Sequence, residues 1–372
     1  MSLYLDYNAS APIISDVIEI MNNSIDIIGN PSSIHSSGRK AKKAIEDSRE
    51  IIAETIDTNP KNIIFTSGAT EANTLALNCS KEMTTFISSI EHDSVLKQKT
   101  NANIIPVTSE GIVNLEFLEN NLKNISSENL FVSIMAVNNE TGIIQPLEEI
   151  SRICKKYNAI FHVDAVQAIG RISISMNNFN IDLLTVSSHK IGGPKGIGCL
   201  AVSDKVYTSL SPIIMGGGQE RGFRGGTEAV SQIIGFGAAA KYSQRLKLCN
   251  TLNSRDLIEE TIVSMIPNSI IIGKNSPRVA NTSLIAFKDI SAESLVIALD
   301  IEGYEVSSGS ACSSGKVSES HVLRAMSLDE SLIKGAIRVS LTRSLNNNEI
   351  LSFCTILKRI VNQISQKKKF IK

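Results

Sequence analysis

Through the first two thirds of the chain, short apolar runs alternate with stretches whose apolar residues recur every three to four positions. The runs "NIIFTS" (62–67), "TTFISS" (84–89), "LFVSIMAV" (130–137), "AIFHVD" (159–164) and "LLTVSS" (183–188) predict buried strands. Between several of them lie amphipathic segments such as "AKKAIEDSREIIAETI" and "LEEISRICKKY". In the former, Ala41, Ala44, Ile45, Ser48, Ile51, Ile52 and Ile56 fall on one helical face. Such alternation predicts an α/β fold, a mostly parallel sheet covered by helices on both sides. After "GFRGGTEAV" the pattern changes. A long helical region, "TEAVSQIIGFGAAAKYSQRLKL", leads into the strands "NTSLIAF" and "AIRVSL" with helices between and after them. This predicts a second, smaller α/β domain from about residue 245 onwards. No internal repeat and no low-complexity linker interrupts the chain.

The length, 372 residues, suits one large domain plus a smaller one. Hydrophobic content of 42% with 20% charged residues marks a soluble globular protein. Lys+Arg and Asp+Glu both number 37, so net charge supplies no attraction to nucleic acid or to an anionic membrane. The start, "MSLYLDYNASAPII", lacks the basic stretch and apolar core of a signal peptide, and no apolar run reaches membrane-spanning length. Cysteines at 79, 154, 199, 249, 312 and 354 show no C-x-x-C spacing, which argues against a zinc ribbon or a disulfide framework and for a reducing, cytoplasmic setting. No metal site is expected.

In open parallel sheets, functional groups gather at the carboxyl ends of strands. Three ends here carry chemistry. "IIFTSGATEAN" closes in a small-residue turn and opens a helix near Thr70, whose bare amides suit a phosphate or serve an ordinary capped turn. "IFHVDAVQAIG" sets Asp164 and Gln167 after a strand, where the carboxylate is either a helix cap or an anion held against a cationic ring. "LLTVSSHKIGGPKGIG" sets Lys190 beside His189 and ahead of glycines; it is either a solvated lysine or a group reached closely by a planar ligand. Together a phosphate cradle, a carboxylate and a lysine are what pyridoxal phosphate requires. A nucleotide is the competing ligand, but neither G-x-x-x-x-G-K-[ST] nor G-x-G-x-x-G follows a strand.

The segments "YLDYNASAP", "GNPSSIHSSGRKA", "FTSGATEANTLAL", "VNNETGIIQP", "HVDAVQAIG", "SSHKIGGPKGIG", "GGGQERGFRGGTE" and "SSGSACSSG…SHVLRAM…IRVSL" resemble cysteine desulfurases of the NifS/IscS type. These are fold-type I pyridoxal phosphate enzymes of the class-V aminotransferase group. The motifs run in order from residue 4 to about residue 341. The resemblance implies a large domain, residues 16–245, with a seven-stranded sheet sandwiched by helices. It also implies a smaller C-terminal domain, 246–372, carrying a mobile catalytic-cysteine loop at 307–317, and an N-terminal segment, 1–15, packed with the small domain.

By the same resemblance, Lys190 is the Schiff-base lysine and Asp164 the partner of the cofactor's ring nitrogen. Gln167 hydrogen-bonds its phenolic oxygen, and Ala69 and Thr70 bind its phosphate, with Ser187 and His189 adding contacts. His92 stacks on the ring and does acid–base work. Asn139, also at the cofactor, clamps the substrate carboxylate together with Arg338. Thr227 reaches the phosphate in the other subunit, which implies a homodimer with shared active sites. The implied reaction removes sulfur from L-cysteine, leaving L-alanine and a persulfide on Cys312. That sulfur passes to an acceptor protein for iron–sulfur cluster assembly or for thiolation of cofactors or tRNA. A thiol in the Gly/Ser run "SSGSACSSG" reads by itself as an incidental surface cysteine. In this cycle a flexible loop can serve both the substrate and the acceptor.

Other residues read more plainly. Cys79, Cys154, Cys199 and Cys354 fall on packing positions, and Cys249 is uninformative. His35 suits either a helix start or the shared site; His162 lies on the strand of Asp164, and His321 suits the helix after the loop. Two departures stand out. Gly226 occupies a position where many relatives have serine, and the chain stops soon after Arg338, at Lys372, where housekeeping relatives carry a longer tail that engages the iron–sulfur scaffold. The acceptor is therefore left open. Selenocysteine lyase or another class-V enzyme is the alternative activity. Cys312 speaks against a plain transaminase, and the full set of catalytic groups against an inactive scaffold.

Overall fold

The computed structural model describes residues 2–125, 129–244, 248–309 and 319–371. Its larger sheet has seven strands, in the spatial order 63–66, 198–202, 183–187, 160–164, 130–133, 84–88 and 103–105. All run parallel except Gly198–Val202, which is antiparallel to both neighbours. Every residue of strands 63–66, 130–133, 160–164 and 183–187 is buried. Alternate side chains enter two separate cores, as the period of two demands. Phe65, Phe161, Val163, Leu184 and Val186 enter one core, while Ile64, Phe131, Ile160, Leu183 and Leu200 enter the other. Cutting Phe161 back to alanine would cost about 3–5 kcal/mol.

Helix Ser36–Thr55 covers the first of these cores with Ile45 and Ile52, fully buried and spaced as the apolar stripe predicts. Its first turn is capped by His35, whose Nδ1 accepts from the Gly38 amide at 3.3 Å, so this histidine starts a helix. Helix Ala69–Asn78 covers the opposite core through Ala72, Leu75 and Ala76.

A second sheet has the antiparallel order 307–308, 336–340, 282–287, 269–271. Helices Leu252–Met265, Ala292–Ile301 and Asn347–Ile371 pack against it around Phe287, Ile337 and Phe353. The N-terminal residues link both sheets. Leu3 and Tyr4 pair in parallel with Tyr304 and Glu305, and Asp6 bridges to Ser340, while the amide of Ala11 donates to the His189 carbonyl at 2.9 Å.

Two segments differ from their predicted limits by more than one residue at an end. The run 130–137 leaves the sheet after Ser133, and the helix predicted to begin at Thr227 spans Val230–Ser243. Strand Asn103–Ile105 was not anticipated: it is a short edge strand, and its exposed Asn103 and Ile104 carry no burial pattern to read. Among the described residues no helix is long and apolar enough to cross a membrane.

Candidate active site

A cavity of about 570 Å³ opens at the carboxyl ends of the parallel strands, where the N-terminal segment meets both sheets. Ala69, Thr70, His92, Asn139, Asp164, Gln167, Ser187, His189, Lys190 and Arg338 all line it. Thr227 lies outside this cavity and is exposed in its own chain. Cys312 lies outside the described residues.

One wall is the start of helix Ala69–Asn78. Gly68 precedes it at φ 156° and ψ 178°, a conformation essentially closed to residues with a side chain. A Cβ on the neighbouring Gly198 would stand only 2.9 Å from the Gly68 carbonyl carbon, so both glycines permit strand and turn to meet. The first amides of the helix have no intrahelical acceptor and carry the positive end of its dipole. Glu71 closes the turn. Its carboxylate accepts from the Ser67 amide at 2.8 Å and from Arg224 Nε at 3.1 Å. Burial would raise its pKa, but these donors outweigh that and hold it below the ordinary value.

Strand Ile160–Asp164 delivers the carboxylate. Asp164 Oδ1 accepts from the Val166 amide at 3.0 Å and Oδ2 from Asn73 Nδ2 at 2.8 Å. Asn73 Nδ2 also donates to Ser94 Oγ at 2.9 Å, and Ser94 Oγ lies 2.8 Å from His92 Nδ1. His162, on the same strand, bonds Ser133 and Thr185 inside the sheet and is no part of the cavity. Burial pushes its pKa down to about 3, which keeps it neutral.

Strand Leu183–Ser187 and the short turn Ser188–Lys190 deliver the cation. Lys190 Nζ donates to the carbonyls of Asn8 and Ala9 at 2.7 and 2.8 Å. His189 Nδ1 lies 3.3 Å from Ser10 Oγ, and burial, then Lys190 and Lys195, push its pKa down to about 4. Gln167 Nε2 donates to the Asn8 carbonyl at 3.0 Å, while its buried Oε1 has no partner among the described residues. Arg338 enters from strand Ala336–Ser340, only 1% exposed. It donates to the Asn139 carbonyl at 2.8 Å and to Asp6 Oδ1 at 2.7 Å, and its buried Nε has no partner among the described residues.

Three buried polar residues at or behind the cavity are not singled out by the sequence. Asn8 bonds Ser340, Thr282 and the Asn139 carbonyl while its own carbonyl receives Lys190 and Gln167. Its signal in the sequence is the segment "YLDYNASAP". Asn73, an amide on the buried face of a helix beside Ala72, Leu75 and Ala76, could have been found by that misfit. Glu91 is fully buried, accepts from the Met135 amide at 2.6 Å, and has its pKa raised well above the usual range by burial, then by Asp164. It precedes His92 directly, which was the available signal.

The site fits pyridoxal phosphate by its own chemistry: a helix start suited to an anion, a fixed carboxylate, an amine, and a buried amide oxygen with no partner among the described residues. The class-V aminotransferase model matches residues 3–353, and the chain belongs to that family. It is 36% identical to a cysteine desulfurase IscS of Dictyoglomus turgidum, over 97% of this chain and 95% of that one. It is 39% identical to the IscS of Rickettsia typhi, over 94% and 88% respectively. Among solved structures, a NifS-like protein from Rickettsia africae superposes with a TM-score of 0.91 at 36% identity, covering 97% of this chain and all of that one. Within the class-V family the chain thus belongs with the cysteine desulfurases.

Proposed function

We propose that the chain binds pyridoxal phosphate at Lys190, takes the sulfur of L-cysteine onto Cys312 as a persulfide, releases L-alanine, and delivers the sulfur to an acceptor protein. The observation that carries this reading is the convergence of Lys190, Asp164 and the helix start at Ala69 on one cavity from separate strand ends. Ala69 and Thr70, with Ser187 and His189, would hold the phosphate; neutral His189 binds there without competing for Asp164. Asp164 would keep the ring nitrogen protonated, and Gln167 would face the ring oxygen. Bound there, the cofactor supplies an electron sink for the carbon next to the substrate amine.

The chain does the rest. Arg338, held by Asn139 and Asp6, presents a rigid fork to the substrate carboxylate. Lys190 Nζ, once released, stands as the base for the Cα proton, and His92 holds a second proton site. The Cys312 thiolate then attacks the substrate sulfur. An S–S bond forms as the carbon–sulfur bond breaks, and the electron pair stays with the carbon skeleton that leaves, protonated, as alanine.

The active unit in this reading is a homodimer in which Thr227 completes the partner's phosphate site. Its exposure outside its own cavity supports this, as do the apolar side chains Ile25, Ile28, Ile34 and Met215, between 67% and 90% exposed. Among the described residues, Cys79, Cys154, Cys199 and Cys354 are buried and unpaired, which suits a cytoplasmic setting, and Cys154 and Cys199 are held as thiols by burial. Borohydride treatment of the purified yellow protein tests the assignment. The reduced cofactor should be recovered on a Lys190 peptide; recovery on Lys195, or no adduct, would overturn it.

A further inference from the structure

Strand Ile63–Thr66 ends the seven-stranded sheet, with Gly198–Val202 as its hydrogen-bonded neighbour. An edge strand turns alternate amides and carbonyls outward, and these need partners when they are buried. Here side chains supply them. Glu220 Oε2 accepts from the Phe65 amide at 2.8 Å, and Arg49 Nη1 donates to the Ile63 carbonyl at 2.8 Å. The two side chains also bind each other, Nη1 to Oε2 and Nη2 to Oε1, both at 2.8 Å. Arg49 is 3% and Glu220 6% exposed, and the guanidinium lies 4.7 Å from the Phe65 ring centroid. Burial disfavours the charge on Arg49, but the bonds to Glu220 outweigh it and raise its pKa.

Glu220 and Arg221 have φ of 45° and 56°, the left-handed region that residues with a side chain enter rarely. This strained turn is held by what it grips. Arg221 donates to the Ile63 carbonyl as well, and its Nε donates to the Tyr207 hydroxyl at 3.1 Å. From there the chain is tied repeatedly on its way to Thr227. Arg224 Nε donates to Glu71 at 3.1 Å, the Gly225 amide to the Ile214 carbonyl at 2.8 Å, and the Gly226 amide to Gln219 Oε1 at 3.1 Å. Thr227, the next residue, is exposed.

We propose that the Arg49–Glu220 pair is a positioning device that acts across the dimer, pinning segment 219–226 to the sheet edge so that Thr227 is presented to the phosphate bound by the other subunit. This rests on the reading that Thr227 completes the partner's phosphate site. The pair also touches strand Ile63–Thr66, which leads towards the helix start at Ala69, so an effect on its own chain's site is the competing outcome. Hybrid dimers separate the two.

The test uses hybrids with a single lysine site, titrated with pyridoxal phosphate and read by the visible band of its Lys190 adduct. In the first hybrid, Glu220→Gln sits in the protomer that also carries Lys190→Ala, opposite an intact protomer. In the second, Glu220→Gln sits in the protomer that keeps Lys190, opposite one carrying Lys190→Ala. The reference pairs Lys190→Ala with the wild type. The first hybrid should bind the cofactor about tenfold more weakly than the reference, and the second should match it. Pyridoxal, which lacks the phosphate, should bind all three alike. If the single variant does not fold, Arg49→Met/Glu220→Gln takes its place, since it leaves no buried charge unpaired and keeps an acceptor for the Phe65 amide. Weakening in the second hybrid as large as in the first, or no weakening in either, would overturn the proposal. Thr227→Ala in place of Glu220→Gln in the first hybrid tells the two readings apart. If it weakens binding while Glu220→Gln does not, the role of the pair alone falls; if it changes nothing, the cross-subunit role of Thr227 falls as well.

Discussion

Asp164 and His92 are joined by an unbroken hydrogen-bonded chain that runs through Asn73 and Ser94. Asp164 ends one strand and His92 caps the short helix Asp93–Leu96, and they are linked by Asn73 of helix Ala69–Asn78 together with Ser94 of that short helix. The helix whose start is proposed to hold the cofactor phosphate thus also helps orient the carboxylate and the histidine. A shift of that helix would reach all three at once.

Asn73→Ala should expose this coupling. Removing the amide leaves Asp164 Oδ2 without its donor, and Ser94 Oγ loses a partner as well. An unmet buried acceptor costs about 1–3 kcal/mol, more when it is charged. We expect a lower midpoint in urea unfolding and weaker cofactor binding, measured by fluorescence titration. A variant matching the wild type in both would show that Asp164 is oriented by the Val166 amide alone.

Most of this arrangement was legible because strands dictate it. Buried runs followed by Gly, Asp or Lys mark the strand ends and hence the places of Thr70, Asp164 and Lys190 around one cavity, whereas Ala69, His92, Asn139 and Arg338 came from the family resemblance. Asn8 and Asn73 were not legible. Each bonds groups remote in sequence, and polarity at a single position does not name its partners: Asn8 reaches Thr282, and Asn73 reaches Asp164. The antiparallel order of the second sheet was likewise hidden, since an apolar run does not state its direction.

The assembly can be tested with hybrids. A protomer carrying both Thr227→Ala and Lys190→Ala, paired with an intact one, leaves a single lysine site that lacks its cross-subunit threonine. Loss of one hydroxyl bond to a charged phosphate, about 1.5–3 kcal/mol, should weaken cofactor binding in that hybrid by roughly 10- to 100-fold relative to the intact dimer. Equal affinity would make Thr227 a residue of its own chain only.

Acid should destabilise the fold through His162. Its pKa falls to about 3 in the folded protein, while the unfolded chain takes up the proton near the ordinary 6.5. Between those values the unfolded state binds more protons. The histidine's stabilising effect is therefore complete above pH 6.5 and is lost as pH falls through that window, by an amount on the order of a few kcal/mol. In His162→Gln the slope of unfolding free energy against pH over that range should flatten. An unchanged slope would mean that other groups carry it.

The central claim is that Cys312 receives the sulfur. Serine is close to isosteric, but its hydroxyl stays protonated near neutral pH and attacks sulfur poorly. The most direct measurement is alanine formation from L-cysteine by Cys312→Ser, alongside trapping of protein-bound persulfide. The variant should fold, dimerise, turn yellow and change colour with L-cysteine, yet release no alanine catalytically and carry no persulfide. Turnover close to that of the wild type would place the sulfur on another group and contradict the account.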